Sequence, residues 1–223
     1  MPTRPEPIEV DFARSAVIVV DMQNAFASRG GLLDLAGVDI AGAPRVVHTI
    51  GAVLDSARAA GIPVVYLQMG YKPDLSNSGG PNSPNWHKEL ALRLMDRQAQ
   101  LKGKLLTEGT WDFAIVEELA PHPVDLVVVK TRYSGFAGTS LDSQLRTRGV
   151  RHVFLCGITT NVCVESTLRD AYFLDYWPIL VTDGAMPAGP AAAHEATLFN
   201  VENFFGWTLR SEEFLAAVRW SHS

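Results

Sequence analysis

Three residue types that could build a cysteine nucleophile each follow a short apolar run of this sequence. Asp21 follows the run at 16–20, Lys130 follows the run at 125–129, and Cys163 comes shortly after the run at 152–156. A lysine depresses the pKa of a nearby thiol, and a carboxylate can take the thiol proton and pass it to a leaving amine. Each residue also has a structural interpretation, respectively as a helix cap, a solvated charge and a small buried hydrophobe.

The two cysteines of the chain stand in different surroundings. Cys156 lies inside an apolar run, so we interpret it as a packing residue. A helix capped by Thr160 would hold Cys163 in its first turn, where free N–H groups and the positive helix end stabilise a thiolate. The turn at 157–161 also offers backbone N–H groups to an oxyanion. The sequence therefore favours Cys163 as the reactive cysteine.

Short apolar runs predict the strands that position these residues. The runs are rich in β-branched residues and nearly continuous, which is typical of parallel strands buried on both faces. The predicted strands are 16–20, 62–67, 125–129, 152–156 and 179–182, with a sixth at 204–209.

Amphipathic stretches between the runs predict helices. They lie at 46–57 with an end at Gly61, at 111–119, at 139–149 with a capping box from Thr139 to Asp142 and an end at Gly149, and at 162–176, 191–203 and 212–220. The alternation predicts an α/β fold, a doubly wound parallel sheet with helices on both faces, in one domain over residues 1–223.

The carboxyl ends of the parallel strands are the expected ligand site. Asp183, which follows the run at 179–182, is expected at the same rim as the acid, the base and the thiol. The stretch at 70–86 is rich in Gly, Pro, Ser and Asn, so it predicts an irregular loop, and loops this long are often functional.

The composition excludes several classes of protein. With 223 residues and 47% hydrophobic content the chain is neither disordered nor too small to bury a core, and two cysteines cannot form a disulfide scaffold. The net charge of −5 argues against a nucleic-acid partner. No apolar stretch is long enough for a membrane span, and the first residues lack the apolar core of a signal peptide. We therefore expect a cytoplasmic protein without a membrane partner.

Several motifs resemble the isochorismatase-like cysteine hydrolases. They are VVDMQNAF around Asp21, VVKTRYSGFAGTSLD around Lys130 and CGITTNVCVESTLRDAYFLDY around Cys163, in the family's order. Within that superfamily, GGLLDLAG, GGPNSPNWHK, LKGKLL and LFNVENFFGW are most similar to the ureidoacrylate amidohydrolases of pyrimidine breakdown. The resemblance implies a six-stranded parallel sheet, a non-proline cis peptide around Ile158–Thr159 and a homo-oligomer.

The resemblance also implies a mechanism in which Asp21, Lys130 and Cys163 form the catalytic triad. Cys163 attacks the ureido carbonyl of a small substrate, and the backbone N–H groups of Thr159 and Cys163 hold the oxyanion. Asp21 takes the thiol proton and returns it to the leaving nitrogen, while Lys130 holds the ionised pair. Water that Asp21 activates then clears a carbamoyl-type thioester. The implied enzyme is an amidohydrolase acting on linear amide C–N bonds.

The sequence departs from the ureidoacrylate enzymes where they show Asn-Gly-Trp, because this chain has Met69, Gly70 and Tyr71. The loop that follows, KPDLSNS, is closer to biuret-type hydrolases, so triuret and biuret stand beside ureidoacrylate as expected substrates. The candidate substrate-binding residues are Met69, Tyr71, Asn77, Trp86 and Tyr133. A carbamoyl C–N bond is cleaved in either case.

Other functions remain as alternatives. They are another amidase of the superfamily, acting on an N-carbamoyl amine or of the nicotinamidase type, a vinyl-ether hydrolase, and an idle binding or assembly subunit. The zinc-dependent nicotinamidases carry an Asp/His cluster, whereas His87 stands alone in this chain, so we predict no metal and no cofactor. We interpret His87 as loop packing, and Arg132 as a partner of either an acidic substrate group or a neighbouring acid.

Overall fold

The architecture is a single six-stranded parallel sheet, described by a computed structural model over residues 1–220. The strands are β1 (Ser15–Val20), β2 (Val64–Met69), β3 (Leu126–Lys130), β4 (His152–Ile158), β5 (Trp177–Met186) and β6 (Trp207–Leu209). Their order across the sheet is β3-β2-β1-β4-β5-β6, and every neighbouring pair is parallel. The predicted doubly wound sheet is confirmed.

The central strands owe their place to continuous apolar sequence. All residues of β1, β2 and β4 are buried, as expected for strands covered on both faces. The edge strand β3 differs, because Val127 and Val129 are 46% and 43% exposed. The prediction of burial on both faces is therefore wrong for β3, because exposed Val127 and Val129 alternate with buried Val128 and Lys130, so only one face of this edge strand is covered.

Helices pack on both faces of the sheet. They are α1 (Asn24–Ala27), α2 (Leu32–Leu35), α3 (Ala43–Ala59), α4 (Pro84–Lys88), α5 (Leu90–Arg97), α6 (Leu141–Thr147), α7 (Glu165–Phe173), α8 (Ala191–Asn200) and α9 (Ser211–Trp220). One core holds the apolar faces of α3 and α9, and the other holds those of α6 and α7. Among residues 1–220, no helix is long and apolar enough to cross a membrane.

The predicted helix at 111–119 does not form. Asp112 accepts backbone N–H bonds from Leu32 and Leu106, at 3.0 and 2.7 Å, and Gln23 Nε2 donates to the Phe113 carbonyl at 2.8 Å. These distant partners hold the segment as turns, and only Glu117–Leu119 forms a 3₁₀ turn. The error arises because tertiary hydrogen bonds outweigh the local helical pattern.

Two predicted helices contain π-helical turns, where i→i+5 bonds widen the helix. The turn Thr160–Val164 precedes α7, and the turn Val201–Phe205 follows α8. The second turn takes the first residues of the predicted strand at 204–209, so β6 is limited to Trp207–Leu209. The predicted loop at 70–86 is mostly irregular, although α4 begins at Pro84.

Two predictions about polar side chains are wrong. Thr139 and Asp142 form no capping box, because α6 begins at Leu141 and the Asp142 carboxylate accepts from Arg146 Nε at 2.9 Å. Asp183 does not join the catalytic rim, because β5 continues past it. Its carboxylate instead accepts the Ser211 N–H at 2.8 Å, at the start of α9.

Candidate active site

A buried ion pair lies at the carboxyl ends of β1 and β3. Lys130 Nζ donates to Asp21 Oδ2 at 2.8 Å, and both side chains are fully buried. The ammonium also donates to the Arg132 carbonyl at 3.2 Å and contacts Met69 Sδ at 3.8 Å. A charge pair removed from water costs several kcal/mol per ion before its attraction offsets the cost, so such pairs mark functional candidates.

The backbone around Asp21 fixes the position of its carboxylate. Asp21 has φ 52°, in the left-handed region where an aspartate is tolerated but strained. Beside it, Gly157 has φ 127°, and a Cβ there would lie 2.1 Å from the Val20 carbonyl oxygen. Only glycine allows β4 to approach the end of β1 this closely, and the approach brings the segment of Cys163 to Asp21.

The Asp21 carboxylate keeps one acceptor unused. Its Oδ1 atom is buried and has no hydrogen-bond partner at conventional geometry among the described residues. Burial raises the pKa of Asp21, while the Lys130 charge and interaction with the Cys163 thiol oppose the rise. A buried lone pair next to a thiol is positioned to receive a proton.

Cys163 lies in the π-helical turn, 5% exposed. The expected cap at Thr160 is wrong, since the turn follows Thr159, and Thr160 Oγ1 instead contacts His194 Nδ1 at 3.1 Å. Burial raises the pKa of the Cys163 thiol, Lys130 opposes the rise, and Asp21 adds to it. The direction differs from the lowered thiol pKa that the sequence favours, because burial outweighs the lysine and favours the neutral thiol.

The lysine remains charged in this setting. Burial lowers the pKa of Lys130, but Asp21 and Cys163 raise it by more, so the net shift is upward. The ion pair at 2.8 Å supports an ammonium and a carboxylate, and burial favours the neutral form of the thiol. Attack by sulfur then requires a proton transfer from Cys163 to Asp21.

Hydrogen bonds fix the segment that carries Cys163. Thr167 Oγ1 donates to the Cys163 carbonyl at 2.7 Å and accepts the Gly135 N–H at 3.0 Å. The Asn161 side chain accepts from the Ala188 N–H at 2.9 Å and donates to the Ala188 carbonyl at 3.1 Å. These bonds connect the segment that carries Cys163 to the loop after β3 and to the loop before α8.

The peptide bond between Ile158 and Thr159 is cis, as the resemblance predicts. Thr159 is buried, and its carbonyl accepts the N–H groups of Val162 and Val164 at 3.2 and 3.1 Å. The resemblance implies that Thr159 and Cys163 form the oxyanion site, and they lie at the start of this turn and within it.

The candidate substrate-binding residues fall into two groups. Tyr133 is half-buried near Cys163, and its pKa is raised to about 12, first by burial and then by electrostatic interaction with Glu89 and Cys163. Met69 is buried, and its sulfur contacts Lys130 as described above. These two residues lie with the triad.

The other three candidates stabilise the 70–86 loop and the helix after it. Tyr71 is fully buried, and its hydroxyl accepts from Asn85 Nδ2 at 2.9 Å. Asn77 Oδ1 accepts the Lys72 N–H at 3.0 Å, and the half-buried Trp86 packs against the core of α3. No hydrogen bond of the described residues joins any of these three to the triad, so their role in substrate binding stays a prediction.

The structure also shows the contacts of His87 and Arg132. His87 Nε2 contacts the Pro81 carbonyl at 2.8 Å, which agrees with loop packing. Arg132 Nη1 donates to the carbonyl and hydroxyl of Thr131, at 2.7 and 3.3 Å, and has no carboxylate within 4.0 Å in the described chain. Over residues 1–220, no three His, Cys, Asp or Glu side chains are grouped as metal ligands.

Sequence reasoning missed Gln23 and Glu89. Gln23 is fully buried; its side chain donates to the Met69 carbonyl at 2.9 Å and accepts the Met69 N–H at 2.8 Å, which fixes the end of β2. Its position two residues after Asp21 was the available signal. Glu89 is buried beside the site, and nothing in its local sequence distinguishes it from a surface glutamate.

Comparison with known proteins identifies the family of this chain. The Isochorismatase domain family matches residues 15–213, nearly the whole length of the chain. The chain belongs to the isochorismatase family. The resemblance read from the three motifs is confirmed by this match.

Characterised relatives and solved structures extend the comparison. The chain is 50% identical over 218 residues to the ureidoacrylate amidohydrolase RutB of Agrobacterium fabrum, covering 98% of this chain and 96% of that protein. It is 53% identical over 214 residues to the protein of that name from Caulobacter segnis, covering 96% and 90%. The prediction of a hydrolase acting on amide C–N bonds is confirmed by these relatives.

Among solved structures, a cysteine hydrolase from Pseudomonas syringae pv. phaseolicola 1448A matches with a TM-score of 0.81 and 28% identity, over 96% of this chain and 97% of that one. N-carbamoylsarcosine amidase from Thermoplasma acidophilum matches with a TM-score of 0.67 and 26% identity, over 89% and 97%. Both agree with the isochorismatase fold.

Proposed function

We propose that this enzyme cleaves the carbamoyl C–N bond of a small ureido compound through a covalent thioester on Cys163. The observation that carries the proposal is the Oδ1 atom of Asp21, which is buried without a hydrogen-bond partner at conventional geometry, while Oδ2 accepts from Lys130 at 2.8 Å and the Cys163 thiol interacts with the carboxylate. A thiol in this setting becomes a nucleophile only by giving its proton to that oxygen.

The first half-reaction forms the thioester. The Cys163 proton moves to Asp21 as sulfur attacks the ureido carbonyl carbon, and the carbonyl oxygen takes the negative charge within reach of the Thr159 and Cys163 N–H groups. The C–N bond then breaks, and Asp21 returns the proton to the leaving nitrogen. Lys130 keeps its charge throughout, so it stabilises Asp21 whenever the carboxylate is ionised.

The second half-reaction clears the thioester. Asp21 takes a proton from a water molecule, whose oxygen attacks the thioester carbon and forms the new C–O bond. The C–S bond breaks, and the proton passes to the Cys163 sulfur. The carbamoyl unit leaves as carbamate, which decomposes to carbon dioxide and ammonia.

The substrate that we propose carries a terminal carbamoyl group on nitrogen. Relatives named ureidoacrylate amidohydrolase support ureidoacrylate. Met69 stands where the ureidoacrylate enzymes have Asn, and its sulfur contacts Lys130 Nζ. This difference supports a urea oligomer such as triuret or biuret. An N-carbamoyl amine is the second candidate, favoured by the structural likeness to an N-carbamoylsarcosine amidase.

We further propose that the enzyme is a homo-oligomer. Tyr172, Phe173, Phe199 and Phe204 are exposed side chains on one flank, and Phe205 contacts the rings of the first two at centroid distances of 5.8 and 6.1 Å. Exposed aromatic groups of this kind are enriched in protein interfaces. Light scattering tests the proposal, since a monomeric mass at micromolar concentration would contradict it.

Ammonia release from ureidoacrylate, biuret, triuret and N-carbamoyl amines, measured side by side, tests the proposed activity. We expect turnover of at least one compound by the wild-type enzyme and none by Cys163→Ala. Turnover that survives in Cys163→Ala would contradict the thioester. Absence of turnover on every compound would instead favour an idle binding or assembly subunit.

A further inference from the structure

Arg132 carries a positive charge at the carboxyl end of β3, and no step of the proposed reaction uses it. Its backbone is part of the site, because the Arg132 carbonyl accepts from Lys130 Nζ at 3.2 Å. The next residue along the chain is Tyr133, which is half-buried and interacts electrostatically with Cys163. Arg132 therefore lies on the segment that surrounds the triad.

The guanidinium of Arg132 lies between this segment and the 70–86 loop. A Cβ at Gly79 would lie 2.9 Å from Arg132 Nη2, so the side chain packs against the loop. The loop is joined to the end of β2, since Asn85 Nδ2 donates to the Tyr71 hydroxyl at 2.9 Å and to the Ser78 carbonyl at 3.2 Å. Burial raises the pKa of Tyr71 and Arg132 opposes the rise, as expected for a cation on this side of the loop. The guanidinium thus stands at the same edge of the sheet as the catalytic ion pair.

One edge of the guanidinium is held by the protein and the other is not. Nη1 donates to the Thr131 carbonyl at 2.7 Å and to the Thr131 hydroxyl at 3.3 Å, which restricts the rotation of the side chain. Within residues 1–220, Nε and Nη2 of Arg132 form no hydrogen bond. These two atoms form an edge with which an arginine can bind a carboxylate through two parallel hydrogen bonds.

No protein carboxylate occupies that edge. Among residues 1–220, Arg132 has no ion pair within 4.0 Å, whereas four other arginines do. Glu89, a buried acid after the 70–86 loop, accepts the Leu92 N–H at 3.0 Å as the cap of α5. Of the two partners that the sequence leaves open for Arg132, the structure therefore removes the neighbouring acid and favours an acidic group of the substrate.

We propose that Arg132 binds the carboxylate of an anionic ureido substrate through Nε and Nη2 while Cys163 attacks the ureido carbonyl. The inference rests on the proposed ureido hydrolysis. It names the substrate class as ureido acids, in which a few bonds separate the carbamoyl carbon from a carboxylate. Ureidoacrylate belongs to this class, whereas biuret and triuret do not. A neutral distal group would leave the guanidinium edge without a charged partner, so the enzyme discriminates against it.

The test compares ureidoacrylate with its carboxamide, which has nearly the same shape and no charge, and with biuret. For each, kcat/KM is measured from carbon dioxide release, because cleavage at the carbamoyl group yields carbon dioxide and hydrolysis of the carboxamide does not. The enzymes are the wild type, Arg132→Gln, which removes the charge, and Arg132→Lys, which keeps the charge without the planar fork. Turnover of the carboxamide shows whether the triad is intact in each variant.

We expect the wild-type enzyme to prefer ureidoacrylate to both neutral compounds. In Arg132→Gln, the ratio of kcat/KM for ureidoacrylate to kcat/KM for the carboxamide falls by roughly tenfold to a hundredfold, the effect of a hydrogen bond between charged groups. In Arg132→Lys the ratio falls several-fold, because an ammonium attracts the carboxylate but cannot bind it with two parallel bonds. The loss lies mainly in KM for ureidoacrylate, whereas a structural defect would lower kcat for both substrates alike.

Arg151→Gln is the matched control. Arg151 is exposed and directly precedes β4, so it lies at the amino end of the sheet, opposite the ion pair. Within residues 1–220 it has no ion pair within 4.0 Å. This variant removes one positive charge from the protein, as Arg132→Gln does, and it is expected to keep the wild-type ratio.

Three outcomes overturn the inference while the proposed function stands. They are a wild-type preference for the carboxamide or biuret, a ratio that moves less than twofold in Arg132→Gln, and an equal fall of the ratio in Arg151→Gln. Failure of the proposed function looks different, because the wild-type enzyme would then release carbon dioxide from none of the compounds.

Discussion

The two cysteines of this chain lie seven residues apart, and both are buried, yet their surroundings give them different chemistry. Cys156 lies within β4, where burial alone raises its pKa to about 12 and its thiol points to the Ile18 carbonyl at 3.7 Å. Cys163 is buried as deeply, but Lys130 and Asp21 both interact with it.

The comparison shows that solvent access does not select the nucleophile. Burial raises the pKa of both thiols and so favours their neutral forms. What distinguishes Cys163 is a carboxylate oxygen without a hydrogen-bond partner and a lysine that keeps this carboxylate ionised. Reactivity is a property of the partners that β1 and β3 bring to the turn after β4.

Removing either cysteine breaks the comparison most directly. Cys163→Ala is expected to lower kcat by at least roughly 10⁴-fold, as when a triad nucleophile is removed. Cys156→Ala is expected to keep kcat within a few-fold and to cost about 1 kcal/mol of stability through a small cavity. Steady-state ammonia release and urea unfolding measure the two effects. Comparable losses of kcat in the two variants would contradict the assignment.

Substituting Lys130 tests whether its charge distinguishes the surroundings of Cys163 from those of Cys156. Lys130→Met is expected to abolish turnover and to lower the free energy of unfolding by about 3–5 kcal/mol at pH 8, because Asp21 is left buried without a cation. Without Lys130 the pKa of Asp21 rises further. An acid whose pKa is higher in the folded than in the unfolded state stabilises the protein at low pH, and this stabilisation is lost as pH rises through the pKa of the folded state. The destabilisation caused by Lys130→Met is therefore smaller near pH 5 than at pH 8.

The double variant Lys130→Met with Asp21→Asn is the control. It removes both buried charges, so it should recover most of the lost stability and none of the activity. Urea unfolding at both pH values distinguishes the cases. A destabilisation of the single variant that does not change with pH would argue against a buried, ionised Asp21.

Some features of the fold and the site could be predicted from the sequence and others could not, and the difference has a physical reason. The strands and the convergence of Asp21, Lys130 and Cys163 could be predicted, because continuous apolar runs fix a parallel sheet and its carboxyl edge is shared. The failed helix at 111–119 depends on Asp112, whose partners lie as far away as Leu32. No local pattern records such bonds.

The direction of the Cys163 pKa could not be predicted for a related reason. A lysine and a helix start favour a lowered thiol pKa, but burial is a tertiary property and it is the largest cause of the upward shift. Glu89 was missed likewise, because its burial is a tertiary property that its local sequence does not record. Residue type and spacing identify which groups can react, whereas packing decides their charge.

The pH dependence of kcat/KM tests whether Asp21 takes the proton from Cys163. Burial raises the pKa of Asp21 above its ordinary value of 3.8, so activity falls as pH falls through that raised pKa. The pKa of Lys130 is raised from 10.5, so the lysine causes no loss of activity up to that pH. The acid limb should persist in Glu89→Gln, which removes the other raised carboxyl of the site. A rate that rises through the pKa of a free thiol, about 8.5, would instead indicate a thiolate formed without Asp21.

The smallest expected effect concerns the bonds that position Cys163. Thr167→Val removes the hydroxyl between the Cys163 carbonyl and the Gly135 N–H, and we expect kcat to fall about tenfold with little change in KM. Thr167→Ser keeps the hydroxyl and should restore kcat. If the valine and serine variants lose kcat equally, the packing of the methyl group matters rather than the hydrogen bonds.

The most direct test of the central claim is a search for the thioester during turnover of the fastest ureido substrate. Acid quenching within one turnover, followed by digestion and fragmentation mass spectrometry, separates Cys156 from Cys163 although both lie on the same peptide. The account predicts a carbamoyl adduct on Cys163 that disappears once substrate is exhausted and never occurs on Cys156. Product formation without any adduct on Cys163, or an adduct on Cys156, would contradict it.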